Sequence, residues 1–111
     1  MKKTNAPDRG DIIFLDFAPT KGHEQDGRRP AFVVSPKLYN AKSGLVLVCP
    51  ITSKKKGYPF EVSVTIKKIV SVVIADQVRS VDWKFRSAKK IGKADPHTTS
   101  EVLKKVQFLI E

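Results

Sequence analysis

The sequence predicts a small α+β domain, mainly β, in which a strongly bent, barrel-like antiparallel sheet is closed by a C-terminal helix. Two observations predict this class. Short apolar runs separated by turn-rich polar segments occupy the chain up to about residue 90, which is typical of a small sheet or barrel. From Asp95 onward the apolar residues follow a helical spacing instead. With 111 residues, the chain is expected to form one domain over residues 1–111.

Six strands are predicted before the helix. Four consecutive apolar residues, 12–15, indicate that the first strand is covered on both faces, either by barrel closure or by a second subunit. The later apolar runs are interpreted in the same way, and the six predicted strands cover residues 11–17, 31–35, 44–50, 59–66, 70–78 and 87–92. Between Phe60 and Asp76 only Lys67 and Lys68 interrupt a β-rich stretch without Gly or Pro, so the strand boundaries there stay open.

The C-terminal helix is predicted from both its spacing and its start. Val102, Val106 and Leu109 follow one another at steps of four and three residues, and lysines occupy the other face. Asp95 precedes Pro96, so a side-chain acceptor stands directly before a residue that has no amide hydrogen to donate. The helix is therefore expected to begin after Asp95.

Charge and cysteine content narrow the function classes. Lys and Arg number 21 against 11 Asp and Glu, a formal net charge of +10, so polyanions are the expected partners. The single Cys49 lies in an apolar run and is interpreted as a core residue, which leaves no intrachain disulfide and no cysteine-based zinc site. His23 and His97 are too far apart in sequence to form a local ligand pair, so neither a metal nor another cofactor is predicted. Without an apolar leader or a run long enough to span a bilayer, the protein is expected to be cytoplasmic and free of the membrane.

The segment 19–29 is the first candidate for chemistry. It joins two predicted strands, is too long for a tight hairpin, and carries Lys21, Glu24, Arg28 and Arg29. Glu24 and Arg29 are complementary charges that either pair with each other or share a substrate. An arginine at the mouth of a strand is held by the sheet and still reaches solvent, which suits phosphate binding.

The segment 50–60 adds hydroxyl, lysine and aromatic side chains. Thr52 and Ser53 stand at the exit of a predicted strand, where a hydroxyl can donate to a phosphate oxygen, and three consecutive lysines and Tyr58 follow. Lysines neutralise phosphates while aromatic rings stack on unpaired bases, so this mixture suits single-stranded nucleic acid.

The segment 74–86 extends the basic surface. Gln77 offers a paired donor and acceptor for a base edge, and Arg79 and Arg86 add positive charge. Trp83 is interpreted as a core or interface residue rather than a stacking platform.

Three ordered segments, PTKGHEQDGRRPAFVVSP, PITSKKKGYPFEV and ADQVRS, together resemble the MazF/PemK family of toxin endoribonucleases over almost the whole chain. The resemblance implies an SH3-like barrel that forms a homodimer and is the toxin of a type II toxin-antitoxin system. It implies sequence-specific cleavage of single-stranded RNA, in particular mRNA, without a metal. It also implies neutralisation by a cognate antitoxin whose acidic, disordered segment occupies the RNA groove.

Carried over by position, the resemblance assigns the family's catalytic arginine to Arg29 and its catalytic threonine to Thr52, and it matches Glu24 to an acidic position implicated in activity. Metal-free RNA cleavage needs a group that stabilises the charged phosphorane, a base and an acid. Arg29 supplies a planar fork, Thr52 a neutral donor, and Glu24 is the candidate base. The residues predicted to bind RNA are Lys21, Arg28, Ser53, Lys54, Lys55, Lys56, Tyr58, Gln77, Arg79 and Arg86.

Two alternatives stay open. A non-catalytic toxin of the same fold, similar to the CcdB-type toxins, would bind and poison a protein such as DNA gyrase; it has no need for Arg29, Thr52 and the lysines together. A plain nucleic-acid-binding barrel would explain the charge but leaves Glu24 unfavourably placed beside phosphate.

Overall fold

A computed structural model describes residues 5–16 and 28–111, and in these residues seven strands and two helices follow one another. The elements are β1 (Asp11–Asp16), β2 (Arg28–Val33), α1 (Lys37–Ser43), β3 (Leu45–Thr52), β4 (Glu61–Ile66), β5 (Ile69–Ile74), β6 (Arg79–Asp82), β7 (Lys89–Lys93) and α2 (Pro96–Ile110).

The sheet bends around β3, which changes its partner along one edge. The strands are antiparallel in the order β4-β5-β3-β2-β1-β7, and β6 also pairs with β3. On that edge, residues 45–48 of β3 pair with β6, whereas Ile51 and Thr52 pair with β5. The other edge of β3 pairs with β2. The result is a half-barrel sheet with a C-terminal helix, which confirms the predicted fold class.

Apolar residues cover both faces of the sheet. One cluster contains Ile12 and Phe32 and includes Val102 of α2, while the other contains Ile13 and Leu15. Neighbouring residues of β1 therefore enter different clusters, as strand alternation requires. Intrachain packing accounts for the burial of both faces at these positions, which is the barrel-closure alternative predicted from residues 12–15.

Helix α2 begins as predicted. The Asp95 side chain accepts a hydrogen bond of 2.8 Å from the backbone N–H of Thr98, and Pro96 occupies the first turn. This bond lowers the pKa of Asp95, because it favours the charged carboxylate. None of the described helices is long and apolar enough to cross a membrane.

Two elements were missed, and two strand boundaries were wrong by more than two residues. Helix α1 has seven residues and no side-chain cap, and β6 has only four residues, so neither carries a periodic pattern long enough to detect. Strand β2 begins at Arg28 rather than at residue 31, because its first residues pair with the end of β1. Strand β5 ends at Ile74 rather than at residue 78, and a turn separates it from β6.

The two lysines between β4 and β5 form a two-residue hairpin turn. Ile66 pairs with Ile69, and the intervening Lys67 and Lys68 have φ values of 48° and 72°. Two consecutive residues with positive φ match the turn that suits the twist of a hairpin, for which Asn and Gly are the usual residues. The turn therefore lies at the predicted polar break, with residues that strain its backbone.

Trp83 and Cys49 are core residues, which confirms their interpretation from the sequence. Trp83 is buried, and its indole N–H donates to the backbone carbonyl of Asn40 at 2.9 Å. Asn40 itself is fully buried, and its side chain donates to the carbonyls of Pro7 and Ser35. Burial raises the pKa of the Cys49 thiol to about 12.

Candidate functional site

A cleft of about 690 Å³ opens where β2 and β3 meet the connection from β3 to β4. Strand β2 contributes one residue, β3 contributes its last three, and most of the remaining lining comes from the connecting segment 53–60. The cleft is lined by Arg29, Pro50, Ile51, Thr52, Lys54, Lys56, Gly57, Tyr58, Pro59, Glu61, Ile74 and Gln77.

The sheet register brings Arg29 and Thr52 together. Ala31 of β2 pairs with Pro50 of β3. In an antiparallel register, two residues back from Ala31 and two residues on from Pro50 lie across from each other, and on the same face as that pair. Continuing the register thus sets Arg29 opposite Thr52, and both residues line the cleft. The two side chains predicted to act on one phosphate therefore share one face of the sheet.

The Thr52 hydroxyl is already oriented by the backbone. Its oxygen accepts a hydrogen bond of 3.1 Å from the backbone N–H of Lys54. A hydroxyl has one hydrogen and two lone pairs, so this bond uses one lone pair and leaves the hydrogen available for donation. Thr52 can therefore donate to an anion in the cleft.

The segment 53–60, which we call the lysine loop, is held by the carboxylate of Glu61. Glu61 accepts hydrogen bonds from the backbone N–H groups of Lys56 at 3.0 Å and Gly57 at 3.2 Å. The turn has a left-handed residue, since Gly57 has a φ of 73°. The Glu61 carboxylate thus fixes the backbone from which Lys54 and Lys56 reach the cleft.

A second carboxylate holds the lysine loop from the other side. The Tyr58 hydroxyl donates a hydrogen bond to Oδ2 of Asp76, in the turn that follows β5. This hydrogen bond, with smaller contributions from burial and from the carboxylate charge, raises the pKa of Tyr58. Oδ1 of Asp76 is buried and has no hydrogen-bond partner among residues 5–16 and 28–111. Tyr58 is thereby tied to the turn that carries Gln77.

Sequence reasoning missed Glu61 and Asp76. Both lie in the motifs that resemble the toxin family: Glu61 follows Lys56 by five residues, and Asp76 directly precedes Gln77. The position of Glu61 shortly after three consecutive lysines is the local signal that its carboxylate binds the backbone of their loop. Nothing local to the sequence indicates that Tyr58 reaches Asp76, 18 residues away.

Arg28 and Arg86 lie together outside the cleft. Arg28 is adjacent to Arg29 in β2, so its side chain leaves the opposite face of the strand. Its guanidinium pairs with the Asp16 carboxylate at 3.5 Å, donates to the carbonyl of Ser87 at 3.2 Å and lies over the Phe14 ring. Arg86 donates to the backbone carbonyl of Asp16 at 3.3 Å.

The remaining predicted RNA-binding residues divide into three groups. Lys54, Lys56, Tyr58 and Gln77 line the cleft with Arg29 and Thr52. Three others are exposed but do not line it, namely Ser53, Lys55 and Arg79. Glu24 and Lys21, together with His23, lie outside the described residues.

The described part of the cleft is suited to anions. Arg29, Lys54 and Lys56 supply three positive charges, whereas the Glu61 carboxylate is occupied by backbone N–H groups. Within residues 5–16 and 28–111 there is no group of three or more His, Cys, Asp or Glu side chains that could hold a metal ion.

The fold agrees with that of solved toxin structures. The crystal structure of MazF from Deinococcus radiodurans matches with a TM-score of 0.84 and 44% sequence identity, covering 96% of this chain and 98% of that chain. A MazE-MazF structure from the same organism matches with a TM-score of 0.83 and 40% identity, covering 96% and 97%. The chain therefore has the fold of the MazF toxins.

The sequence comparison defines the family. The profile of the family described as PemK-like, MazF-like toxin of type II toxin-antitoxin system matches residues 8–110. The Escherichia coli K12 protein named endoribonuclease toxin MazF is 47% identical over 104 residues, which cover 94% of each chain. The chain belongs to this PemK-like, MazF-like toxin family, which confirms the resemblance found in its sequence.

Proposed function

We propose that this chain is the toxin of a type II toxin-antitoxin system and acts as a sequence-specific endoribonuclease on single-stranded RNA, in particular mRNA. The observation that carries the proposal is that Arg29 and Thr52 line the same basic cleft. The register of β2 and β3, continued two residues beyond Ala31 and Pro50, sets them opposite each other. Family membership and the name endoribonuclease carried by the Escherichia coli relative support the same reading.

The reaction proposed is metal-independent transesterification. The 2′-hydroxyl loses its proton to a base and its oxygen attacks the adjacent phosphorus, while the bond from phosphorus to the 5′-oxygen breaks and that oxygen takes up a proton. The products are a 2′,3′-cyclic phosphate and a 5′-hydroxyl end. Each step conserves atoms and charge without a cofactor.

Arg29 and Thr52 are suited to the charged transition state. The Arg29 guanidinium presents a planar set of donors that matches two phosphoryl oxygens. Thr52 donates the hydrogen that its bond from Lys54 leaves free. Hydrogen-bond donors that already point to the site where negative charge develops typically stabilise the transition state more than groups that must first reorient. Glu24 is the proposed base, from the first segment of the family motif.

RNA binding is assigned to the cleft and the surface around it. Lys54 and Lys56 would neutralise phosphates, the Tyr58 ring would stack on a base, and the Gln77 amide would read a base edge. Outside the cleft, Arg28, Lys55, Arg79 and Arg86 would add positive charge that attracts the strand, and the Ser53 hydroxyl would donate to a phosphate oxygen. Lys21, in the first segment of the motif, would add a further positive charge.

We also propose that the chain forms a homodimer and is neutralised by an acidic, disordered antitoxin segment. The net charge of +10 is complementary to such a segment. A relative from Deinococcus radiodurans has been crystallised as MazE-MazF.

The test incubates purified protein with a mixed pool of single-stranded RNA in EDTA and analyses the ends and positions of the products. We expect cleavage at a short recurrent sequence, leaving 2′,3′-cyclic phosphate and 5′-hydroxyl ends. An RNA with deoxyribose at the mapped cut site should stay intact, because it lacks the nucleophile. If correctly folded protein leaves every RNA intact, the proposal is wrong and the protein-poison alternative gains support.

A further inference from the structure

Three aromatic rings form a row that leads from the cleft to the end of α2. The ring centroids of Tyr58 and Phe60 are 6.2 Å apart, and those of Phe60 and Phe108 are 6.1 Å apart. Tyr58 lines the cleft, and Phe108 lies in the last turn of α2. We call Tyr58, Phe60, Phe108 and the neighbouring Lys105 the aromatic row. The row begins at the candidate active site and ends on a different element of the fold.

The outer end of the row does not serve the core. Phe108 is 67% exposed, whereas the residues of α2 that pack against the core are Val102, Leu103 and Val106. Phe108 therefore contributes little to folding through burial. Phe108 packs against Phe60, and Phe60 packs against Tyr58, which lines the basic cleft. An exposed phenylalanine in this position indicates a surface for binding.

Lys105 adds a positive charge to the row. Its ammonium lies 6.0 Å from the centroid of the Phe60 ring, and it precedes Phe108 by three residues, so both side chains leave the same side of α2. Rings beside a cation are the combination that binds the bases and phosphates of unpaired nucleic acid.

We propose that the aromatic row binds the nucleotides of single-stranded RNA that leave the cleft on one side, with bases stacked on the exposed rings and a phosphate near Lys105. The proposal rests on the proposed function in taking RNA as the ligand of the cleft, and it adds a flanking subsite on α2. The ring centroids are 6.2 and 6.1 Å apart, which exceeds the rise of about 3.4 Å between stacked bases. This spacing favours an RNA strand whose bases are not stacked on one another. Positive charge suits RNA and an acidic protein segment equally, but the succession of aromatic rings favours RNA, because such rings stack on unpaired bases.

The test measures binding of fluorescent oligoribonucleotides with deoxyribose at the mapped cut site, so that none is cleaved. One oligonucleotide spans only the recognition sequence, and two others carry several extra nucleotides at the 5′ or the 3′ end. Phe108→Ala should weaken binding of one of the two extended RNAs about fivefold or more and leave the short RNA unchanged. For the same extended RNA, Lys105→Ala should lessen the dependence of binding affinity on salt by an amount that corresponds to about one released counterion.

The matched control is Phe85→Ala, which removes an equally large side chain that is 80% exposed in the connection after β6. Phe85→Ala should leave the binding affinity for all three RNAs unchanged. The proposal is overturned if Phe108→Ala alters none of them, alters all of them equally, or instead weakens only the binding of a glutamate-rich peptide. The last result would assign the row to a protein partner.

Cleavage of the unmodified short RNA, measured in parallel, separates the two proposals. If the RNA is cleaved normally and its binding does not depend on Phe108, the proposal for the aromatic row is wrong and the nuclease proposal stands. If binding depends on RNA length but no RNA is cleaved, the nuclease proposal is wrong and the proposal for the aromatic row stands. If the protein binds no RNA, both proposals are wrong.

Discussion

The Glu61 carboxylate accepts a hydrogen bond from the backbone N–H of Lys56 at 3.0 Å. The first residue of β4 thereby fixes the conformation of the loop that precedes it. Since the adjacent N–H of Gly57 also donates to this carboxylate at 3.2 Å, two otherwise solvated amides are ordered by one side chain. The position of the lysines at the cleft thus depends on an acid that binds the backbone of their loop.

Replacement of Glu61 by Ala should impair RNA binding more than turnover. Without its acceptor the lysine loop loses two hydrogen bonds of about 1 kcal/mol each, so KM should rise by up to roughly thirtyfold while kcat changes little. Glu61→Gln keeps an acceptor for one of the two N–H groups and should fall between the two proteins. Steady-state kinetics on one RNA measures both parameters.

Ser63→Ala is the control for Glu61, because Ser63 is exposed two residues further along β4. It should behave like the wild type. A Glu61→Ala protein with an unchanged KM and a lowered kcat would contradict a positioning role.

Arg29→Ala and Thr52→Ala should each lower kcat about a hundredfold or more, since removal of one preorganised donor to a developing oxyanion has this scale of effect. Thr52→Ser retains the hydroxyl and should recover most of the loss. Arg29→Lys retains the charge but not the planar fork, so it should recover little. Single-turnover cleavage measures the chemical step. Recovery by Arg29→Lys and none by Thr52→Ser would contradict the assigned roles.

Lys56→Ala should weaken RNA binding more than Lys55→Ala. Lys56 lines the cleft and Lys55 does not, although they are neighbours in the lysine loop. Both substitutions remove one charge, and both should flatten the dependence of binding on salt, but only Lys56 is expected to contact a phosphate directly. The measurement is RNA affinity over a series of salt concentrations. Equal losses would indicate that the two lysines act only through the general field.

The bond between Tyr58 and Asp76 should appear in the pH dependence of stability. Because this bond raises the pKa of Tyr58, the folded protein holds the phenolic proton over a range where the unfolded chain has lost it. Its contribution to stability is fully present below the unfolded pKa of about 10 and is lost as the pH rises through the folded value. As the pH rises through and above about 10, Tyr58→Phe should therefore lose less stability than the wild type.

Urea unfolding at a series of pH values tests this difference. The chain has a second tyrosine, Tyr39, on the surface of α1, and Tyr39→Phe controls for the loss of a phenol without the Asp76 bond. Identical pH profiles for the two variants would contradict the prediction.

Lys68→Gly should stabilise the protein. Lys68 has a φ of 72°, and a side chain in this backbone region lowers the free energy of unfolding by about 1 kcal/mol relative to glycine.

Gly44 at the end of α1 is the converse case: it has a φ of 77°, and an added Cβ would meet no atom within 4 Å. Gly44→Ala should therefore destabilise by backbone strain alone, by about 1 kcal/mol. Denaturant unfolding measures both, and a shift of the same sign in the two variants would rule out this account.

Local patterns account for the elements that were predicted correctly. The strand runs and the helix after Asp95 depend on burial of alternate or helically spaced side chains, which a sequence records directly. Helix α1 escaped prediction because it is too short for a periodic pattern and its buried residue, Asn40, is polar. The Asn40 side chain donates to the carbonyl of Pro7, 33 residues away in sequence. No propensity rule identifies a buried asparagine that holds a helix in place.

The sequence by itself determined the class of fold and the preference for polyanionic partners, because these depend on residue type, spacing and total charge. The candidate pair Arg29 and Thr52 came from the resemblance of the sequence motifs to the toxin family. Only the tertiary structure decided that Arg28 and Arg29 leave opposite faces of one strand. That outcome follows from the pairing of Arg28 with Asp16, which starts β2 earlier than its apolar residues indicate. The structure likewise decided which side chains meet across long separations, such as Phe60 with Phe108, because such contacts arise from how the elements pack and not from their order.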